Sequence, residues 1–191
     1  MLTTAPTTTR TATTSWRRPV VRWLLTFAAF PLGSVAARAI AGPIDSATSA
    51  LVGGLVNGAI IGAAQGWALR PVLDAWRRWA AATAIGLMIG LGVAASAVDF
   101  DSSMSALAAQ GALCGLAVGA AQAVVLKGTF GRLALAWPFA LAGLWALGWT
   151  ITTAVGVEVD DHFTVFGSSG AVTVTALTAV LPVLAARRAA R

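Results

Sequence analysis

The stretch Gly62-Ala-Ala-Gln-Gly-Trp-Ala-Leu-Arg70 returns 57 residues later as Gly119-Ala-Ala-Gln-Ala-Val-Val-Leu-Lys127. Each copy closes an apolar run with a cation. Upstream the register holds, with Gly54, Gly58 and Gly62 matching Gly111, Gly115 and Gly119. A tryptophan preceded by Arg opens the run before each copy, at Trp23 and Trp79, and Trp137 opens a third. From opening Trp to closing cation the distances are 47, 48 and 50 residues, ending at Arg70, Lys127 and Arg187. A fixed period of this length marks a repeated supersecondary unit. In the third unit Ala171, Thr175 and Ala179 stand where the glycines were, and Pro182 where the glutamine was.

Each unit contains two apolar runs. They fall near 20–40, 47–69, 79–98, 104–126, 133–156 and 165–186. About 20 helical residues at 1.5 Å each cross roughly 30 Å of hydrocarbon. No ten-residue alternation suggests a barrel, so helices are the expected spanners. Composition agrees: of 191 residues 58% are hydrophobic and 10% charged, with mean hydropathy +0.80. A soluble domain carries roughly 25% charged residues. The expected fold is an all-α membrane protein of six transmembrane helices, arranged as three tandem parallel hairpins in a pseudo-threefold bundle. The units run over about 20–72, 76–129 and 133–188, within a transmembrane domain at 19–188. Residues 1–18, rich in Thr and without apolar pattern, read as a disordered cytoplasmic tail, and 189–191 as a second short tail. A signal-peptide reading of the first apolar run fails because that run belongs to the repeat.

Charge sets the orientation. Twelve of the thirteen cations fall on one side of the six runs, and only Arg38 stands opposite. The other side carries Asp45, Asp99, Asp101, Glu158, Asp160 and Asp161, leaving Asp74 as the one acid among the cations. The positive-inside rule places both ends in the cytoplasm. The net charge of +6 is therefore topological, and nucleic acid is not an expected partner. Trp16, Trp23, Trp67, Trp76, Trp79 and Trp137 lie near the cationic boundary as an aromatic belt, with Phe100, Phe163 and Phe166 in their place opposite. Twelve Arg against one Lys points to a GC-rich bacterial genome, and thus to a bacterial inner membrane.

The glycines and amides are the candidate functional positions. Gly54, Gly58, Gly62 and Gly66 repeat every four residues on one broad helix face, as do Gly111, Gly115 and Gly119. Each interior glycine costs about 1 kcal/mol of helix stability. Close helix packing is the expected compensation, with a homo-oligomer seam or a surface for a flat ligand as alternatives. Even-numbered helices are expected to form an inner ring, with Gly86 and Gly90 giving the third span a shorter stripe. Gln65 and Gln122 lie on the stripe face and must find partners in hydrocarbon. They read as interhelical clamps or as the lining of a cytoplasm-facing polar pocket. Asn57 reads as a clamp; with Gln110, Thr150, Thr152 and Thr153 it otherwise lines an outward vestibule. Arg38 reads as snorkelling or pairing with Asp45, Asp99 or Asp101, or as an anion-recruiting group. Trp145 and Trp149 form an i, i+4 pair expected to face lipid or to pack.

Catalytic chemistry is not expected. No Asp, Glu, Lys or His lies within a span, which disfavours ion-coupled transport. His162 is the only histidine and Cys114 the only cysteine, so no internal disulfide forms and no nucleophile–base pair presents itself. Glu158, Asp160, Asp161 and His162 form a short acidic cluster, read as a solvated loop rather than a metal site. Neither a metal nor a cofactor is expected.

The repeated Gly-Ala-Ala-Gln ending in Leu-Arg or Leu-Lys resembles a motif of small bacterial multi-pass proteins of unknown function, where it reads Gly-x-x-Gln-Trp-x-x-Leu-Arg. Here the match covers 62–70, with Trp67 displaced by one, and 119–127, without the Trp. The layout of six spans in three hairpins is also similar to that of HdeD-type acid-resistance membrane proteins, in architecture only. Neither likeness implies an activity. The expected function is that of a non-enzymatic structural or regulatory partner of other membrane components. The alternative is a small passive channel for a polar solute, lined by Asn57, Gln65, Gln110 and Gln122. The expected partners are the lipid bilayer and another membrane protein or a second copy.

Overall fold

The structure, a computed structural model, describes residues 16–156 and 165–190. The Thr-rich residues 1–15, the Glu158, Asp160, Asp161 and His162 cluster and Phe163 lie outside the described residues. Among the described residues every regular element is helical: α1 (Arg17–Leu25), α2 (Ala29–Ala41), α3 (Ala47–Leu69), α4 (Trp76–Ala97), α5 (Met104–Phe130), α6 (Trp137–Ala154), α7 (Ser168–Thr178) and α8 (Val180–Ala189). Helix thus begins at Arg17, inside the expected tail, and runs to Ala189.

Five continuous helical segments are long and apolar enough to cross a membrane, where six separate spans were expected. The difference lies in the fourth, Met104–Ala154, which is 51 residues long. A 3-10 stretch at Gly131–Ala136 joins α5 to α6 without an interval of coil. The chain nevertheless turns there. Gly131 takes φ +59°, a conformation open to glycine at little cost. Beyond it Gly111, Gly115 and Gly119 of α5 meet Trp149, Leu141 and Pro138 of α6 in reverse order, so the two helices are antiparallel.

Proline breaks two other segments. A ring at position i removes one N–H and crowds the carbonyl at i−4. Pro31 crowds Phe27, and the chain is 3-10 over Thr26–Ala28. Pro182 crowds Thr178, where α7 ends. Pro138 causes no break because it sits in the first turn of α6.

Polar caps hold the other connections. Ser46 and Ser49 form a reciprocal capping box at the start of α3. Ser103 caps α5 through Ala106 N–H, and its hydroxyl donates to Asp101 at 2.7 Å. That bond and the Ser103 N–H hold the Asp101 carboxyl below the usual carboxylate range.

The helices pack chiefly on their chain neighbours, and the first segment also meets the last through α1 with α7 and α8. They close a ring, in place of an inner ring of even-numbered helices. Its outer surface is apolar, with Leu32, Val35, Ile40, Val93, Val124 and Phe139 exposed. Its middle is filled by two clusters, one around Phe30, Trp145 and Phe166, the other around Trp23 and Trp79.

Candidate functional site

Three indoles are tied into one end of the ring. Trp79 Nε1 donates to Gln65 Oε1 at 3.2 Å. Trp137 Nε1 donates to Gln122 Oε1 at 2.8 Å. Trp23 Nε1 donates to the Thr178 hydroxyl and to the Thr175 carbonyl, each at 3.1 Å. Gln122 Nε2 donates to Thr83 Oγ1 at 2.8 Å, and that hydroxyl donates to the Trp79 carbonyl at 2.9 Å. Trp23 and Trp79 meet edge to face at 6.2 Å between ring centres. Gln65, Thr83, Gln122 and Thr178 line one small space at the centre. Its volume is about 10 Å³ for the centre of a water-sized sphere, about the least that holds one water.

The third indole owes its partner to Pro182. An unbroken helix would direct the Ala179 N–H to the Thr175 carbonyl. At the break that N–H bonds Ala176 instead, at 3.2 Å, leaving Thr175 to accept from Trp23. A backbone carbonyl and the Thr178 hydroxyl thus stand where the other two indoles meet a glutamine.

Sequence reasoning put Trp23 and Trp79 in the aromatic belt, and the structure corrects this: they are 1% and 0% exposed. Trp16 and Trp67 stay at the surface. Arg22 lies over Trp67 at 5.1 Å, and Arg70 and Arg77 over Trp76 at 5.3 Å. A usable signal was present. Gln65 precedes Trp79 by 14 residues and Gln122 precedes Trp137 by 15. Thr83, Thr175 and Thr178 had no such signal. Trp145 and Trp149 do not face lipid; they surround Phe166, which stacks on Phe30 at 5.4 Å. Phe166 is thereby core rather than an outer-rim aromatic.

The glycines sit where helix backbones nearly touch. A Cβ on Gly54 would lie 2.6 Å from the Leu87 carbonyl oxygen, on Gly58 2.9 Å from Ala84 Cα, on Gly62 2.7 Å from the Ala80 oxygen and on Gly66 2.8 Å from the Trp76 oxygen. Gly111 approaches the Trp145 carbonyl, Gly115 that of Leu141, and Gly119 the Pro138 Cα. Gly86 and Gly90 carry the series from α4 to Val118 and Cys114 of α5.

The remaining candidates are dispersed. Asn57, fully buried in α3, donates from Nδ2 to Ser34 Oγ of α2 at 3.2 Å and packs on Gly33. Gln110 is buried in α5, away from the central space. Arg38 is half-buried on α2, one turn beyond Ser34. Thr150 and Thr153 bond their own helix at 2.9 and 3.0 Å. These residues do not converge on a single vestibule.

A second cavity, of about 330 Å³, opens at the other end of the bundle between α2, the end of α6 and the start of α7. Pro31, Val35, Trp149, Val155 and Phe166 make its walls, with Ser34, Thr152 and Ser169 as polar residues among them. No group of three or more metal-ligating side chains occurs among the described residues. The chain matches no protein-family model, no curated protein and no solved structure.

Proposed function

We propose that the chain is a six-crossing protein of a bacterial inner membrane, with both ends in the cytoplasm, and that it serves as a non-enzymatic structural or regulatory partner of other membrane components. In this reading the fourth segment crosses twice. Fifty-one residues of straight helix would span about 77 Å, far beyond the hydrocarbon, and the antiparallel packing of α5 on α6 supports a hairpin. The three Trp-opened hairpins then form a pseudo-threefold ring, with each indole bonded to the preceding hairpin and Trp23 bonded back to the last.

One observation carries the reading: the centre of the ring is plugged. Phe30, Ile61, Val118, Leu141, Trp145 and Val174 close it around a space of about 10 Å³. A conducting path needs a continuous wet route. The glycine stripes are occupied by contacts within the chain, so the surface left for a partner is the apolar outer wall.

Flux into proteoliposomes tests this against the channel alternative. Uptake of glycerol, urea and potassium should equal that of empty vesicles. Leak abolished by Gln65→Leu/Gln122→Leu would overturn the proposal and make the amides a pore lining. Purification in mild detergent should retain a stoichiometric membrane partner identifiable by mass spectrometry; recovery of the chain alone, monomeric and at native abundance, would count against the partner role.

A further inference from the structure

We infer that the cleft between the end of α5 and the end of α8 binds the phosphate of an anionic bilayer phospholipid. Its volume is about 220 Å³, and Phe130, Leu133, Leu184, Arg187 and Arg188 line it. The two arginines occupy the last turn of α8, directly after the apolar span. That is the depth at which lipid headgroups begin. Both arginines are exposed, so an anion in the cleft reaches them.

Arg188 is already held in place. Thr129 lies in the last turn of α5, where helical donors run out. Arg188 Nη1 donates to its carbonyl at 3.2 Å, and the guanidinium lies over the Phe130 ring at 5.5 Å. A side chain fixed in this way gives up little freedom on binding, and it keeps further N–H donors for a second acceptor. Arg187 lines the cleft beside it. Among the described residues no carboxylate meets this charge. Asp74, the acid among the cations, lines a separate cavity with Arg77 and Arg78.

Adjacent guanidiniums suit a phosphate, whose oxygens take paired N–H bonds. A zwitterionic headgroup would bring its own cation against them. A free anion would leave Leu133 and Leu184 bare, and these are 68% and 42% exposed. In a phospholipid the phosphate meets the arginines and the acyl chains cover the leucines. The cleft is smaller than the roughly 300–1,000 Å³ of pockets that enclose a whole ligand, so it takes a headgroup and leaves the chains in the bilayer. The inference rests on the membrane-spanning reading, and on neither the orientation nor the partner role.

The test uses the full chain in dodecylmaltoside micelles, with phosphatidylglycerol or phosphatidylcholine of matched chains counted by native mass spectrometry. One preferred phosphatidylglycerol per chain is expected, with phosphatidylcholine at least tenfold weaker. Arg187→Gln alone should weaken phosphatidylglycerol about fivefold with the thermal midpoint unchanged, and Arg187→Gln/Arg188→Gln more than tenfold. Arg77→Gln/Arg78→Gln removes the same charge from the same end and should leave the affinity within twofold. Equal affinity for the two lipids, full affinity in Arg187→Gln/Arg188→Gln, or an equal loss in both double variants would overturn the inference. Displacement by millimolar inorganic phosphate would overturn the lipid assignment and leave a free-anion site. Release of the chain from phosphatidylcholine vesicles by alkaline carbonate would overturn the membrane reading and this inference together; a chain that stays inserted but shows no lipid preference sinks the inference alone.

Discussion

At the residue scale the glycine seams and the amide bonds make opposite demands, and each can be tested by one atom. Gly115 of α5 faces the Leu141 carbonyl of α6, and the carbonyl carbon lies 2.7 Å from where a Cβ would be. Backbone on both sides leaves nothing flexible to give. Gly115→Ala should therefore destabilise by about 1–3 kcal/mol, the usual cost of overpacking. Gly143, on the exposed side of α6, has nothing within 4 Å of the same position. There Ala should stabilise by up to about 1 kcal/mol, since only the helix preference changes. The two thermal midpoints should move apart; a shared direction would mean that the α5–α6 seam is not set by backbone approach. Thr83 shows the polar counterpart. Its oxygen accepts from Gln122 at 2.8 Å, so Thr83→Val keeps the shape and strands an amide donor. A loss of about 0.6–2 kcal/mol is expected for such a bond in a membrane. In a Gln122→Leu background the same change should cost less, and the double-mutant cycle measures the coupling.

At the scale of elements, helix length and apolarity were legible in the sequence because lipid leaves the backbone few choices. The breaks were less so. Pro31 and Pro182 were visible, yet their effect falls four residues upstream, where only backbone geometry records it. Residues 127–132, which carry Lys127 and Arg132, stand as an interval between the fourth and fifth spans in the apolar pattern; the backbone instead stays α-helical to Phe130 and in 3-10 turns over Gly131–Ala136. Aromatic positions misled for a related reason. Trp23 and Trp79 lie near the cationic boundary, where belt and core look alike in sequence, and only packing around the ring decides; for Trp145 and Trp149 it decides for the packed alternative. The Pro182 break has a consequence at this scale. Pro182→Ala restores the N–H that Thr178 lacks and straightens α7 into α8. The Ala179 N–H then returns to the Thr175 carbonyl and competes with Trp23 Nε1. The helix should gain stability while the Trp23 indole exchanges its proton faster, seen in the indole region of a ¹⁵N spectrum. An unchanged Trp23 signal would show that Thr178 Oγ1 alone holds the ring closed.

At the scale of the whole molecule, the arrangement of charge and the path of the fourth segment have to agree. The cations near Arg70, Arg77, Lys127 and Arg188 gather at the end of the bundle that holds the indole cluster, where Arg188 donates to the Thr129 carbonyl at 3.2 Å and lies over Phe130. The Asp99–Asp101 turn and the Ser46 cap lie at the other end, with the second cavity. If the positive-inside rule governs this chain, Gly128, in the last turn of α5, faces the cytoplasm together with Arg187, and Asp99 faces away. Cys114 is buried, so cysteines placed at these positions report with little background. Gly128 is suited to the purpose because a side chain there meets nothing within 4 Å. In intact cells a membrane-impermeant maleimide should label Asp99→Cys at once. It should label Gly128→Cys and Arg187→Cys only after the membrane is opened. Labelling of Gly128→Cys from outside, with Arg187→Cys still protected, would mean that the 104–154 segment does not cross twice, and the three-hairpin ring would lose its second and third members. Labelling of Gly128→Cys and Arg187→Cys from outside, with Asp99→Cys protected, would leave the helical ring standing in the inverted orientation, with the sign of the charge partition no longer its cause.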